Sequence, residues 1–179
     1  MRQHALSAIG RDRPGIVAAV SAVLLDHAVN IEDSQMTILR GHFTMMLVVA
    51  VPDGADVAAL RADLDAARGG LGLEALALGE LDDAGPMAEP VPSHILTVYG
   101  ADHPGIVHAA TAALAERGVD ITDLTTKLVG EGGEPLYALM MEIAPPEGID
   151  AAELQAALER VGGEQGVEVT LRPLEPDAL

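Results

Sequence analysis

Cysteine is absent from the 179-residue chain. That removes disulfides, thiolate metal sites and thiol catalysis together. Basic residues are scarce: 10 Lys and Arg stand against 28 Asp and Glu, a formal net charge of −18. Such a balance opposes direct binding to nucleic acid, which needs basic patches, and to anionic membranes. No apolar run reaches the roughly 20 residues needed to span a bilayer. Met1 to Ala8 is polar and leads straight into the first repeat, so no signal peptide is read there and a cytoplasmic location is expected. A Ser-His-Asp order, a Gly-x-Ser-x-Gly elbow and a Walker loop are all missing. The histidines (His4, His27, His42, His94, His103 and His108) show no metal-ligand spacing on one helix with carboxylate support. They are expected at surface or edge positions. No catalytic residue, metal site or cofactor is expected.

What is present is a six-residue stretch that occurs twice. Residues 12–17 read Asp12-Arg13-Pro14-Gly15-Ile16-Val17, and residues 102–107 read Asp102-His103-Pro104-Gly105-Ile106-Val107. Each copy follows a short apolar run ending in Gly and precedes a long Ala-rich apolar run. The pattern predicts strand, tight loop and helix start, with Pro in the first helical turn, where its missing N–H is no loss. Gly15 and Gly105 then bring bare backbone N–H groups to the open end of a helix. Such an end attracts a carboxylate or phosphate through its free N–H groups and the helix dipole. Asp12 and Asp102, just outside, are placed to contact the same ligand. The alternative is a strand-to-helix turn that needs no ligand; its repetition favours the site.

The repeat extends well beyond the loop. Shifting residues 94–129 back by 90 matches fourteen of thirty-six positions with residues 4–39, far too many for anything but a duplication. Period-two and helical spacings order each copy as βαββαβ. Pro52-Asp53-Gly54 breaks the third strand, Gly41-His42 is read as a tight turn, and Gly69-Gly70 and Gly162-Gly163 are read as helix ends. The second copy gains three residues in its hairpin, around Glu131-Gly132-Gly133-Glu134. The domains are expected at 1–83 and 93–179, with a Pro-rich linker at 84–92. A linker of that length reaches at most about 30 Å, so the modules are expected to lie side by side and pair within the chain.

A βαββαβ module folds most simply as a split βαβ, or ferredoxin-like, unit: an antiparallel sheet with both helices on one face. The fold class is thus α+β, with the first and third strands central. The third strand, Phe43 to Val51, leaves no polar row, so both of its faces are expected to be covered, either by sheet packing or in a homo-oligomer. Two users of this fold lack their chemistry here. Metal-carrier domains need a Cys pair, and RNA-recognition domains need sheet aromatics, whereas the chain has no Cys, one Phe and two Tyr. A small phosphatase on the same fold would need an Arg-bearing phosphate loop, which is absent.

Two βαββαβ modules, each opening with strand-Gly-x-Asp-x-Pro-Gly-Ile-Val, resemble tandem ACT domains. The full layout is similar to the glycine cleavage system transcriptional repressor group of stand-alone ACT proteins. The resemblance implies amino acids bound at interfaces between paired modules. It points to Asp12, Gly15 and Ile16 with Asn30 and Ile31 in the first copy, and to Asp102, Gly105 and Ile106 with Asp120 and Ile121 in the second. On the residues alone, Asn30 and Asp120 could equally be turn residues after a helix. The change of Asn30 to Asp120 makes the two sites chemically unequal, because an ionised carboxylate can only accept. The expectation is a non-enzymatic, amino-acid-binding regulatory protein that signals to a regulatory protein partner; the alternative is a ligand-free interaction module with the same pairing.

Overall fold

The computed structural model describes residues 1–81, 90–129 and 136–174. The chain divides into two compact units, Met1–Pro86 and Met87–Leu179. Of the expected linker, residues 84–89 lie outside the described residues, as does the insertion Glu131 to Glu134.

The first unit runs β1 (Arg2–Arg11), α1 (Ile16–Asp26), β2 (Asn30–Leu39), β3 (His42–Val51), α2 (Val57–Leu71) and β4 (Leu73–Glu80). The second repeats it as β5 (His94–Ala101), α3 (Ile106–Ala115), β6 (Asp120–Val129), β7 (Leu136–Ala144), α4 (Ala151–Gln165) and β8 (Val167–Pro173). Each unit holds an antiparallel sheet, ordered β2-β3-β1-β4 and β6-β7-β5-β8. The first and third strands of each unit are central, as their apolarity predicts.

Alternation decides which face the helices cover. In β1 and β3, Leu6 pairs with Leu47 and Ala8 with Met45, and all four are buried in one core with Ile16, Val20 and Leu24 of α1 and Leu60 and Leu64 of α2. The same face of the second sheet supplies Leu96, Val98, Leu139 and Met141 to a core with Ile106, Leu114, Leu154 and Leu158. Both helices of each unit therefore lie on one sheet face. On the opposite face of the central third strands, Met46 is 54% exposed and Met140 48% within the single chain, while Ala50 is buried. Apolar residues thus stand partly uncovered on that face, and hydrophobicity alone does not report burial.

Three local expectations are corrected. The tight turn before β3 is Arg40-Gly41, both at positive φ, not Gly41-His42. Gly69-Gly70 and Gly162-Gly163 do not end helices but lie inside α2 and α4. The left-handed cap residues are Gly72 and Gly166, whose N–H groups return to Gly69 and Gly163 carbonyls, the conformation that favours Gly at a helix end. His4 is not a surface residue: it is 2% exposed on the helix-facing side of β1, with Nδ1 3.3 Å from the Arg2 carbonyl.

Candidate functional site

The duplicated loop forms the entry to α1 and to α3. Gly15 and Gly105, not the prolines, cap the helices: each is left-handed, at φ 98° and 109°, and each accepts the first helical bond, from Ala19 and Ala109. Pro14 and Pro104 lie one residue outside, in the turn. Only Gly adopts that conformation freely. The other two helices begin differently. Asp56 accepts from the N–H groups of Ala58 and Ala59, and Asp150 from Ala152. Among the described residues no side chain caps α1 or α3. The first N–H groups of these two helices, normally satisfied by a cap, are left for another acceptor.

The loop is tethered on two sides. The Asp12 N–H donates to the Gly41 carbonyl in the β2–β3 turn, at 3.0 Å. Arg13 donates to the Gly70 carbonyl near the end of α2, at 2.6 Å. Asp12, Gly15, Asp102 and Gly105 are exposed. The side chains of Ile16 and Ile106 are buried in the cores, so these two residues can meet a ligand only through their backbones.

Asn30, Ile31, Asp120 and Ile121 open the edge strands β2 and β6, and Asn30 and Asp120 are exposed. Within a unit they are remote from the loop. Asn30 and Gln3 both pair with Ala50, whereas the loop follows Arg11, which pairs with His42. Eight residues of strand separate those ends, about 25 Å. Asp120, opposite Ala144, stands in the same relation to Asp102. A single unit thus does not bring Asp12 and Asn30, or Asp102 and Asp120, together.

A groove that the sequence did not reveal takes in one of the predicted site residues, Ile31. It encloses about 250 Å³ between α1 and β2, lined by Val17, Val20 and Ser21 on the helix and Ile31, Ser34 and Met36 on the strand, with Met45 and Leu47 beneath. Register explains it. Ile31, Ser34, Met36 and Ile38 pair with Val49, Leu47, Met45 and Phe43, so they face the helix side, beyond the reach of α1. Ile31 remains 40% exposed and Met36 48%. In the second unit Ile121, Leu124 and Leu128 form the matching exposed row on β6. The available signal was the alternation at Met36 and Ile38. Both edge strands shift register at the same place, between Ile31 and Asp33 and between Ile121 and Asp123. Among the described residues no cluster of His, Asp and Glu could hold a metal ion, and no helix is long and apolar enough to cross a membrane.

The ACT domain model matches residues 5–75 and 94–172, one match in each unit. The chain belongs to the ACT domain family. ACT domains are regulatory modules that bind amino acids. Among relatives, the chain is 31% identical over 168 residues to the phosphoserine phosphatase SerB2 of Mycobacterium tuberculosis, covering 93% of this chain but 39% of the enzyme. One ACT module's length is 40% identical over 77 residues to a UPF0237 protein of Methanopyrus kandleri, covering 42% of this chain and 86% of the relative. A solved structure of an unknown protein from Galdieria sulphuraria shares the two-module fold at a TM-score of 0.78 and 29% identity, covering 97% of this chain and 99% of that one. Another, described as a glycine cleavage system transcriptional repressor, superimposes at a TM-score of 0.73 and 17% identity over 97% of this chain, a likeness of fold.

The Gly15 conformation sets a first expectation. Among the described residues nothing lies within 4 Å of a Cβ built on Gly15, so the obstacle to a side chain is backbone conformation and not space. A left-handed L-residue costs about 1–2 kcal/mol, and a β-branched one resists φ > 0 most. Gly15→Val should therefore lose at least that much stability, yet leave the first ACT module folded. It should also weaken any ligand held on the α1 N–H groups. Thermal unfolding and calorimetric titration check the two halves; unchanged affinity in a folded variant would show that the loop is only a turn.

Proposed function

We propose that the chain is a non-enzymatic regulatory protein that binds an amino acid at each duplicated loop and signals the binding to a protein partner. The supporting observation is that, among the described residues, α1 and α3 are the helices that start without a side-chain cap and through an exposed left-handed Gly. The ligand's α-carboxylate would rest on the N–H groups at Gly15-Ile16 and at Gly105-Ile106. Asp12, with Asn30 and Ile31 of a neighbouring module, would complete the first kind of site. Asp102, with Asp120 and Ile121 of a neighbouring module, would complete the second. Meeting of edge strands supplies that neighbour and makes a homo-oligomer the expected state. Any control of transcription would run through another protein, because a net charge of −18 opposes contact with nucleic acid. The phosphatase activity of SerB2 is not carried over, since 61% of that enzyme's length lies outside the match.

A second reading has its own observation. The apolar rows on β2 and β6, exposed in this chain, would be covered by module pairing with no ligand at all. Calorimetry of the full chain against the twenty amino acids separates the two. Binding of at least one amino acid is expected, and no heat with any of them would leave the ligand-free interaction module. The Asp120→Asn variant should change one class of site only, by about 1.5–3 kcal/mol, the scale of a hydrogen bond to a charged group. Isotherms identical to wild type would place Asp120 outside any site.

A further inference from the structure

The variable residue of the duplicated loop does the same work in both modules with different chemistry. Arg13 donates to the Gly70 carbonyl. His103, at the matching position, places Nε2 2.7 Å from the Gln165 carbonyl at the end of α4 and Nδ1 3.1 Å from the Pro104 carbonyl. Both ring nitrogens therefore face oxygens that can only accept. A neutral imidazole carries one N–H and can satisfy one of them; the imidazolium donates to both. The carbonyl at the helix end also carries the negative end of the α4 dipole, which favours a cation.

We propose that His103 is a pH-sensitive positioning residue, which latches the loop 102–105 to the end of α4 when protonated and releases one of its two carbonyls when neutral. Arg13 is the counterpart that does not titrate, since a guanidinium stays charged. The latch itself does not depend on the amino-acid proposal. Its consequence for ligand affinity does rest on that proposal: the second loop would be ordered by falling pH, and the first would not.

The direction follows from the surroundings. The Pro104 carbonyl, then the Gln165 carbonyl, and then the charge of Asp102 hold the imidazolium and raise its pKa above the ordinary 6.5, while partial burial opposes them. Asp102 is the charged group that acts on the ring, and α4 presents the neutral Gln165. A raised pKa means that the latch is complete below 6.5 and is lost as pH rises through the higher value. The window thus lies above 6.5.

An NMR titration of the full chain tests this without any ligand. The His103 imidazole and the backbone amides of residues 105–106 and 165–166 should shift together, with a midpoint above 6.5. His103→Arg should abolish the shift of those amides while the module stays folded. Arg13→His should create a matching transition at residues 15–16 and 70–72. A His103 midpoint at or below 6.5 overturns the proposal, and so do amide transitions at 165–166 that persist in His103→Arg. Because no ligand is present, failure here leaves amino-acid binding untouched, and failure of the calorimetry leaves the latch untouched.

Discussion

Replacing Gly162 by Ala is expected to destabilise the second ACT module by about 1–3 kcal/mol or more, the cost of overpacking a filled core. Gly162 is buried in the last turns of α4. An added Cβ would press into Val169 Cγ2 and stand 2.8 Å from the Val167 carbonyl oxygen. The valine side chain can turn aside, but the β8 backbone cannot without disturbing its pairing with β5. Val169→Ala in the same chain should therefore restore only part of the loss. The neighbouring glycine is the control. A Cβ on Gly163 meets none of the described residues within 4 Å, so Gly163→Ala should gain up to about 1 kcal/mol from helix propensity. Denaturant unfolding of the three variants checks the order, and equal stabilities for Gly162→Ala and Gly163→Ala would refute the packing account.

The largest loss should come from Phe43→Ala, about 3–5 kcal/mol. Phe43 is the only phenylalanine of the chain and is 2% exposed. It pairs across β1 with Gly10, which carries no side chain, and across β2 with Ile38. Domains hold only about 5–15 kcal/mol in total, so the first module should be largely unfolded or close to it. The second, with its own core, should keep a separate transition. The first loop would fail with its module, since Asp12 is tied to Gly41, two residues before Phe43. Two transitions in denaturant, of which only one moves, is the expected result; a single transition that shifts as a whole would show that the modules unfold as one.

The legible parts of the fold were those written in periodicity and repetition. Fourteen shared residues identified the duplication, and the apolar third strand identified the sheet centre. The loop glycines were legible as a helix entry because Pro and Gly restrict the backbone so strongly. Less visible was which glycine ends a helix. In Gly69-Gly70-Leu71-Gly72 composition offers three candidates, and only the chain's need to turn at once into β4 selects Gly72. The burial of His4 was hidden because β1 alternates with small residues on both faces. The tie between Arg13 and Gly70 spans 57 positions, and local pattern carries no information about such contacts. The groove beside β2 was missed for a related reason. Whether Met36 is covered depends on how far α1 reaches across the sheet, which is a matter of packing.

The helix ends gripped by Arg13 and His103 have one more consequence, in hydrogen exchange. Each holds a glycine pair in its last turns, and each such residue lowers helix stability by about 1 kcal/mol relative to Ala. The last turn of α2, whose Gly69 and Gly70 are exposed, should open locally at a much smaller free energy than the core. A loop anchored on a turn that opens easily loses its tether whenever the turn opens. Loop and helix end then form one opening unit, and whatever orders residues 12–16 must also slow amide exchange at 69–72.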